Sequence, residues 1–191
     1  MPTSARAGIR HLWLLRHGKA ASDAPWGGSD RERPLTARGR RDATALGKRL
    51  ASERPVLGLE GVPPPALAIC SAAVRTRQTA DLVVKAMGGR LPVDRYRSLY
   101  EAGTEVALGY VREIDNGVQS ALVVGHNPTI YQVAFELVGD GDDDRSVGDR
   151  STLESHGFPT CALAVLALDT PTWEDVVPGC GALAGVFKPP Y

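Results

Sequence analysis

Short, nearly uninterrupted apolar runs are the feature that most restricts the folds open to this chain. They occupy residues 11–15, 66–70, 121–124, 161–168 and 183–187. Runs of four to eight apolar residues without polar alternation are typical of strands that are buried on both faces. Segments with helical signals follow the first three runs, so strands and helices alternate along the chain. The sequence therefore predicts an α/β fold, with a mainly parallel sheet covered by helices on both faces.

Local signals place the helices and connectors between these strands. Thr36 is a candidate N-cap for a helix in which Ala43, Leu46 and Leu50 share one face. A second helix is predicted at residues 74–87, ended by Gly88. A third is predicted from the N-cap Thr104 to residue 116. A fourth begins at the N-cap Asn127, with Pro128 as its first helical residue, and ends at Gly139. The remaining elements are a Pro/Gly-rich connector at residues 54–65 and a short strand within residues 92–99.

Length and charge narrow the class of protein. The chain has 191 residues, of which 43% are hydrophobic, and this suits one domain over residues 1–191 with a real core. Within it we expect an N-terminal tail at residues 1–10 and a polar loop at residues 139–159. Lys plus Arg and Asp plus Glu both number 22, which argues against a general nucleic-acid or membrane-surface binder. Any strongly basic site must therefore be local.

Targeting and metal signals are weak. The apolar run at residues 161–168 is far too short to span a membrane, and no signal-peptide stretch precedes residue 10, so we expect a cytoplasmic protein. The oligomeric state stays open, with a monomer favoured.

Cys70 and Cys161 lie in apolar runs and are expected to be buried. The aspartates at residues 140–144 do not form an EF-hand, because Arg145 and Ser151 stand where that loop needs Gly and Glu.

Three of the predicted strands are followed closely by cationic or imidazole residues. Arg16 and His17 come after the first strand, Arg75 shortly after the second, and His126 after the third. Parallel strands have their carboxyl ends at one edge of the sheet, where open α/β folds bind ligands. We therefore expect these four side chains to converge although they are scattered along the chain.

A phosphoryl group is the natural ligand of such a cluster. Arginine offers bidentate donors to phosphate oxygens, and the turn at residues 16–18 is expected to add backbone N–H donors. Nearby cations favour the neutral form of a histidine, and a neutral imidazole nitrogen is a competent nucleophile. One histidine could accept the phosphoryl group while the other stabilises the charge on its oxygens.

Several motifs in order carry a family resemblance. The stretches LLRHGKA, RPLTARGRRDA, CSAAVRTRQTA and VVGHNPTI, then FPT and a closing W-x-x-x-x-P-G, together resemble the histidine phosphatase superfamily. More narrowly, the chain is similar to the small bacterial phosphohistidine phosphatases of the SixA type. The resemblance covers about residues 11–188 and implies a three-layer α/β/α, phosphoglycerate mutase-like domain that needs no metal or cofactor.

The resemblance also implies roles for individual residues. His17 matches the nucleophile, Arg16 and Arg75 match the arginines that clamp phosphate, and His126 matches the second active-site histidine. Gly18 and Asn127 are then expected beside the bound phosphate.

The proton donor is less well determined. Glu101 falls near the position where mutase-like members place a glutamate. The alternative is that Glu101 is a solvated loop residue with no role in the site. A sugar alkoxide needs a proton from such a donor as it leaves. An imidazole whose ring is already protonated leaves as a neutral molecule, and its ordinary pKa of about 6.5 makes that form accessible.

Three functions stay open, in order of preference. The first is a phosphatase that forms a covalent phosphohistidine at His17 and acts on phosphohistidine in a protein. The second is a phosphatase or mutase for small phosphorylated molecules, and the third is a non-catalytic phosphate-binding signalling module.

Lys19 and Arg77 are expected on the surface, and His11 and His156 are expected to be structural or exposed.

Overall fold

The computed structural model describes residues 8–55, 57–139 and 149–191. Its strands are β1 Ile9–Arg16, β2 Leu67–Ser71, β3 Val93–Tyr96, β4 Ser120–Gly125, β5 Leu163–Asp169 and β6 Gly181–Phe187. Its α-helices are α1 Ala37–Ser52, α2 Val74–Ala86, α3 Thr104–Arg112, α4 Thr129–Leu137 and α5 Arg150–His156. Two short 3₁₀ helices, Pro25–Gly27 and Asp30–Glu32, lie between β1 and α1.

The six strands of the described chain form one sheet in the order β3-β2-β4-β1-β5-β6. The first four of these strands are parallel to one another, and β5 is antiparallel to both β1 and β6. This confirms the predicted α/β fold with a mainly parallel sheet. It also places the carboxyl ends of β1, β2 and β4 side by side at one edge.

The side chains of β1 show why its sequence is continuously apolar. Leu12 and Leu14 pack into one core cluster with residues of α3 and α4, while Trp13 and Leu15 pack into a second cluster with α1 and α2. All four side chains are at most 1% exposed. Burial of each contributes about 1.5–3 kcal/mol, so both faces of the strand hold the three layers together.

Two helix boundaries are determined by local bonds. Thr36 caps α1 as predicted, because its Oγ1 accepts a hydrogen bond from the Gly39 N–H at 3.1 Å. The prediction for α3 was wrong at both ends: Gly103 is the N-cap, and the helix ends at Arg112. Beyond it, the Asp115 carboxylate accepts the Gly117 N–H, which favours a turn over further helix.

The predicted cap of α4 was also wrong. Pro128 is the N-cap, and the Asn127 side chain donates to the carbonyl of Phe158 instead of capping the helix. The helix ends at Leu137 rather than Gly139, since Val138 is extended and pairs with Gly181. In both cases a residue far away in the sequence, Phe158 or Gly181, pairs with the group that the local signal had assigned to the helix end.

Part of the predicted polar loop is helical. Asp149 caps α5 by accepting the Thr152 N–H, and Leu153 of that helix is fully buried. The aspartates at residues 140–144 lie outside the described residues. The predicted N-terminal tail also ends early, because Ile9 already belongs to β1. Within the described ranges, none of the helices combines the length and the apolar character that a membrane span requires.

Candidate active site

The ends of β1 and β4 bring two histidines together. Arg16 is paired with Gly125 across these strands, so the residues that follow them, His17 and His126, are neighbours. Their ring centroids are 5.1 Å apart, with planes tilted by 58°. Arg75 lies in the first turn of α2, directly beyond β2, and is only 5% exposed. The structure therefore brings the four predicted residues to one edge of the sheet.

Hydrogen bonds hold His17 in one tautomer and one position. Its Nδ1 is 2.7 Å from the carbonyl oxygen of Gly18. A carbonyl can only accept, so Nδ1 carries the proton and Nε2 keeps a free lone pair. The main chain is held on both sides, because His17 N–H donates to Gly125 and the His17 carbonyl accepts from the Cys161 N–H.

Both histidines are neutral at physiological pH. Burial lowers the pKa of His17 to about 4, with smaller contributions from Arg75 and Arg16, although the hydrogen bond to Gly18 opposes the shift. Burial also lowers the pKa of His126 to about 3, aided by the nearby His17 and Arg75. Desolvation disfavours the charged imidazolium, and the guanidinium groups repel it.

His126 is held by two neighbours. Its Nε2 is 2.9 Å from Oγ of the fully buried Ser71, the last residue of β2. The ring of Tyr100 meets the His126 ring edge-to-face, with centroids 5.4 Å apart. These contacts leave Nδ1 as the ring nitrogen available to another group.

The two arginines are anchored through their terminal nitrogens. Arg16 Nη1 donates to the carbonyl of Phe158 at 2.7 Å. Arg75 donates from Nη1 to the carbonyl of Asp30 at 2.8 Å and from Nη2 to the Asp30 carboxylate at 2.9 Å. The Nε atoms of both arginines are buried and find no hydrogen-bond partner among the described residues. Buried donors are nearly always satisfied, so two unpaired ones beside His17 suit an incoming anion.

Asp30 is the site residue that the sequence did not reveal. Its carboxylate accepts hydrogen bonds from Arg75 and from the Tyr100 hydroxyl, and lies 2.6 Å from Arg33 Nε. The Tyr100 hydrogen bond first, and then Arg75 and Arg33, lower the pKa of Asp30 to about 2. Asp30 is therefore an anion at neutral pH and has no proton to donate. Its one signal in the sequence is its position three residues before Arg33.

The expectation that backbone N–H groups of residues 16–18 would face the anion was wrong. The Gly18 N–H donates to Oγ1 of Thr79 at 3.0 Å, and the Arg16 N–H donates to Ala162. Strand pairing and the hydrogen bond to α2 occupy these N–H groups, so they do not face the site. Glycine is needed at this position for packing, because a Cβ on Gly18 would lie 2.9 Å from the carbonyl oxygen of Gly39.

The other predicted residues separate into near and distant ones. Asn127 lies beside Arg16, because both side chains donate to the Phe158 carbonyl. Glu101 is exposed, and its carboxylate makes no hydrogen bond or ion pair with the rest of the described chain. Its neighbour Tyr100 contacts His126 instead. Among residues 8–55, 57–139 and 149–191, no group of three His, Cys, Asp or Glu residues could hold a metal ion.

Comparisons with known proteins support one family. A family model of the histidine phosphatase superfamily (branch 1) matches residues 12–119. An uncharacterised protein of Mycobacterium tuberculosis is 34% identical over 175 residues, which cover 92% of this chain and 99% of that protein. A probable phosphoglycerate mutase of Salmonella paratyphi A is 27% identical over 183 residues, which cover 86% of this chain and 77% of that protein.

A solved structure has the same fold along nearly the whole chain. It comes from Nakamurella multipartitia, is provisionally described as the phosphohistidine phosphatase SixA, and is 33% identical to this chain. The superposition has a TM-score of 0.77 and covers 98% of this chain and 100% of that one. The matched family model, the relatives and the shared fold establish that this chain belongs to the histidine phosphatase superfamily.

Proposed function

We propose that this protein is a phosphatase that forms a covalent phosphohistidine at His17 and hydrolyses phosphohistidine on proteins. The observation that carries the proposal is the state of His17: a neutral ring with Nδ1 bonded to Gly18 and Nε2 free. Beside it lie two arginines whose buried Nε donors have no partner among the described residues.

The first step transfers the phosphoryl group to the enzyme. Arg16 and Arg75 hold the phosphoryl oxygens while His17 Nε2 attacks phosphorus from its lone pair. The P–N bond of the substrate breaks, and its electron pair returns to the substrate imidazole, which leaves neutral because its other nitrogen carries a proton. His126, with Nε2 at Ser71, donates from Nδ1 to an oxygen of the transferring group.

The second step restores the enzyme. A water oxygen attacks phosphorus, the bond to His17 Nε2 breaks, and that nitrogen recovers its lone pair. Phosphate leaves with the water's oxygen and one of its protons, and the second proton passes to solvent. The buried position of His126 keeps its ring in place for both steps.

Among the described residues, neither candidate carboxylic acid is suited to donate a proton, and this favours phosphohistidine over phosphate esters as the substrate. Asp30 is ionised, and Glu101 points to no partner within the described residues. An alkoxide leaving group needs a proton donor, whereas a protonated imidazole brings its own. The second candidate, a phosphatase or mutase for small phosphate esters, draws support from the mutase-like relative, and it would need Glu101 as the donor.

A comparison of substrates tests this proposal. We expect a chemically phosphorylated histidine protein to be hydrolysed with a kcat/KM at least tenfold above that for sugar or nucleotide phosphates. Glu101→Gln should leave phosphohistidine hydrolysis within twofold, because the leaving group needs no acid. Faster hydrolysis of esters, together with a large loss in the Glu101→Gln variant, would favour the second candidate. No turnover of any phosphorylated substrate would favour the non-catalytic module.

The pKa of His17 predicts the pH dependence. Nucleophilic attack needs the unprotonated ring of His17, which is available between pH 8 and pH 6. The substrate imidazole leaves as a neutral molecule only if its ring is protonated, so kcat/KM should rise as the pH is lowered from 8 to 6 and the substrate takes up a proton. It should then fall as the pH approaches about 4, where His17 takes up a proton. Initial rates, corrected for uncatalysed hydrolysis, check this, and NMR titration of the ring protons gives the pKa directly. A midpoint near 6.5 for His17 would contradict the buried, neutral state described above.

Unfolding has to be followed at each pH. Between 6.5 and about 4 the unfolded chain binds a proton at His17 that the folded chain does not, so the free energy of unfolding also falls as the pH is lowered. Urea midpoints measured alongside separate this loss of stability from loss of activity.

A further inference from the structure

A cleft of about 330 Å³ lies next to the active site and is lined by three arginines from separate segments. Arg31 comes from the 3₁₀ helix before α1, Arg77 from α2, and Arg97 from the segment after β3. We call it the arginine cleft. Tyr100 lines it too, and the same side chain bonds Asp30 and contacts the ring of His126. An occupant of the cleft therefore adjoins the reacting groups.

The residues that line the arginine cleft leave it with an excess of positive charge. None of its three arginines forms an ion pair with a residue in the described ranges. Glu32 also lines it, and its carboxylate, which accepts hydrogen bonds from the N–H and hydroxyl of Ser29 at 2.7 and 3.2 Å, offsets one of the three positive charges. The whole chain has a formal net charge of zero, so this excess is local and suits an anionic ligand.

An exposed tryptophan beside the cleft favours a protein ligand over a small one. Trp26 is fully exposed, and it lies three residues before Ser29, which lines the cleft. Three residues of chain span at most about 11 Å between Cα atoms. Tryptophan and arginine are the residues most enriched where proteins bind one another, because both bury large contact areas. A small anion would leave Trp26 in water.

We propose that the arginine cleft and Trp26 form a docking surface for an acidic segment of the phosphorylated protein substrate. The inference rests on the proposed function, since it assigns the region next to the phosphohistidine to this surface. Carboxylates of the partner would pair with Arg31, Arg77 and Arg97, and an apolar side chain would cover Trp26.

Peptide binding tests the docking surface without any chemistry. The probe is a fluorescein-labelled, unphosphorylated peptide with four Asp or Glu residues, and the reference peptide has Gln in their place. Fluorescence anisotropy should show at least tenfold tighter binding of the acidic peptide by the wild-type protein. The double variant Arg77→Glu/Arg97→Glu should lose this preference, and Trp26→Ala should bind at least threefold more weakly. Added salt should weaken binding by the wild type.

The matched control is Arg90→Glu, which makes the same charge change per residue in the segment before β3, at the end of that strand opposite the active site. It should bind the acidic peptide within twofold of wild type. All variants should hydrolyse phosphoramidate, which is too small to reach the cleft, within twofold of wild type, which shows that they fold. Equal binding of both peptides by the wild type would overturn the proposal, and so would unchanged binding by the double variant.

The same peptides carrying phosphohistidine separate this inference from the proposed function. Binding through the cleft without hydrolysis would leave the docking surface standing and refute phosphohistidine as the substrate. Hydrolysis of acidic and Gln peptides at equal kcat/KM would refute the docking surface alone. Phosphate bound through Arg77 and Arg97, with no binding of the acidic peptide, would assign the cleft to a small anion and also refute it.

Discussion

His17→Ala is expected to lower phosphohistidine hydrolysis by about 10⁴-fold or more, since the variant loses the atom that attacks phosphorus. The wild-type protein, given a labelled phosphohistidine substrate and quenched in alkali, should carry an acid-labile phosphate. The variant should carry none. Among the described residues, the ring of His17 forms a hydrogen bond only with the Gly18 carbonyl, so its removal should leave the fold intact, and the circular dichroism spectrum checks this.

His156→Ala is the matched control for this substitution. His156 is exposed on α5, and within the described part of the chain its ring forms a hydrogen bond only with the carbonyl of Thr152. The control should keep full activity and full labelling. Acid-stable label, or label that persists in His17→Ala, would place the covalent intermediate on another residue and refute the mechanism.

Arg75→Ala is expected to reduce kcat for phosphoramidate by about 10³-fold, the scale seen when an arginine that stabilises a transferring phosphoryl group is removed. Arg75→Lys should recover only part of this loss. A lysine keeps the charge but cannot both hold Asp30 and present a planar donor to the phosphoryl oxygens. The substitution also takes one cation from Asp30, so thermal unfolding has to be measured for both variants.

Arg77→Ala, two positions along α2, provides the comparison. Arg77 is exposed and lines the arginine cleft, so its loss should change phosphoramidate turnover by less than twofold. If Arg75→Ala and Arg77→Ala have equal effects on this small substrate, Arg75 does not hold the phosphoryl group.

Local patterns were sufficient for most of the fold. Continuous apolar runs identified β1, β2, β4, β5 and β6, because a strand covered on both faces needs apolar residues at every position. Thr36 was predicted correctly as a cap because its partner, the Gly39 N–H, is only three residues away. The predictions failed where the partner was distant, as with Asn127, whose amide bonds to Phe158 rather than to its own helix.

The candidate site was predictable as a set of residues but not as a set of contacts. Strand ends identified His17, His126 and Arg75, since parallel pairing brings such ends to one edge. Asp30 was missed because its link to Arg75 joins residues 45 positions apart, and neither position carries a local signal for the other. Glu101 was chosen by its position in the chain, yet the neighbouring Tyr100 is the residue that contacts His126.

The order of residues alone established the alternation of strands and helices and which cationic and imidazole side chains end the strands. Only the folded structure decided that both histidines are neutral, which nitrogen of His17 is free, and that Asp30 is an anion bound to Arg75. The reason is physical: apolar periodicity and caps depend on residues a few positions apart. Tautomers and pKa values depend on burial and on charges that the fold brings together from distant segments.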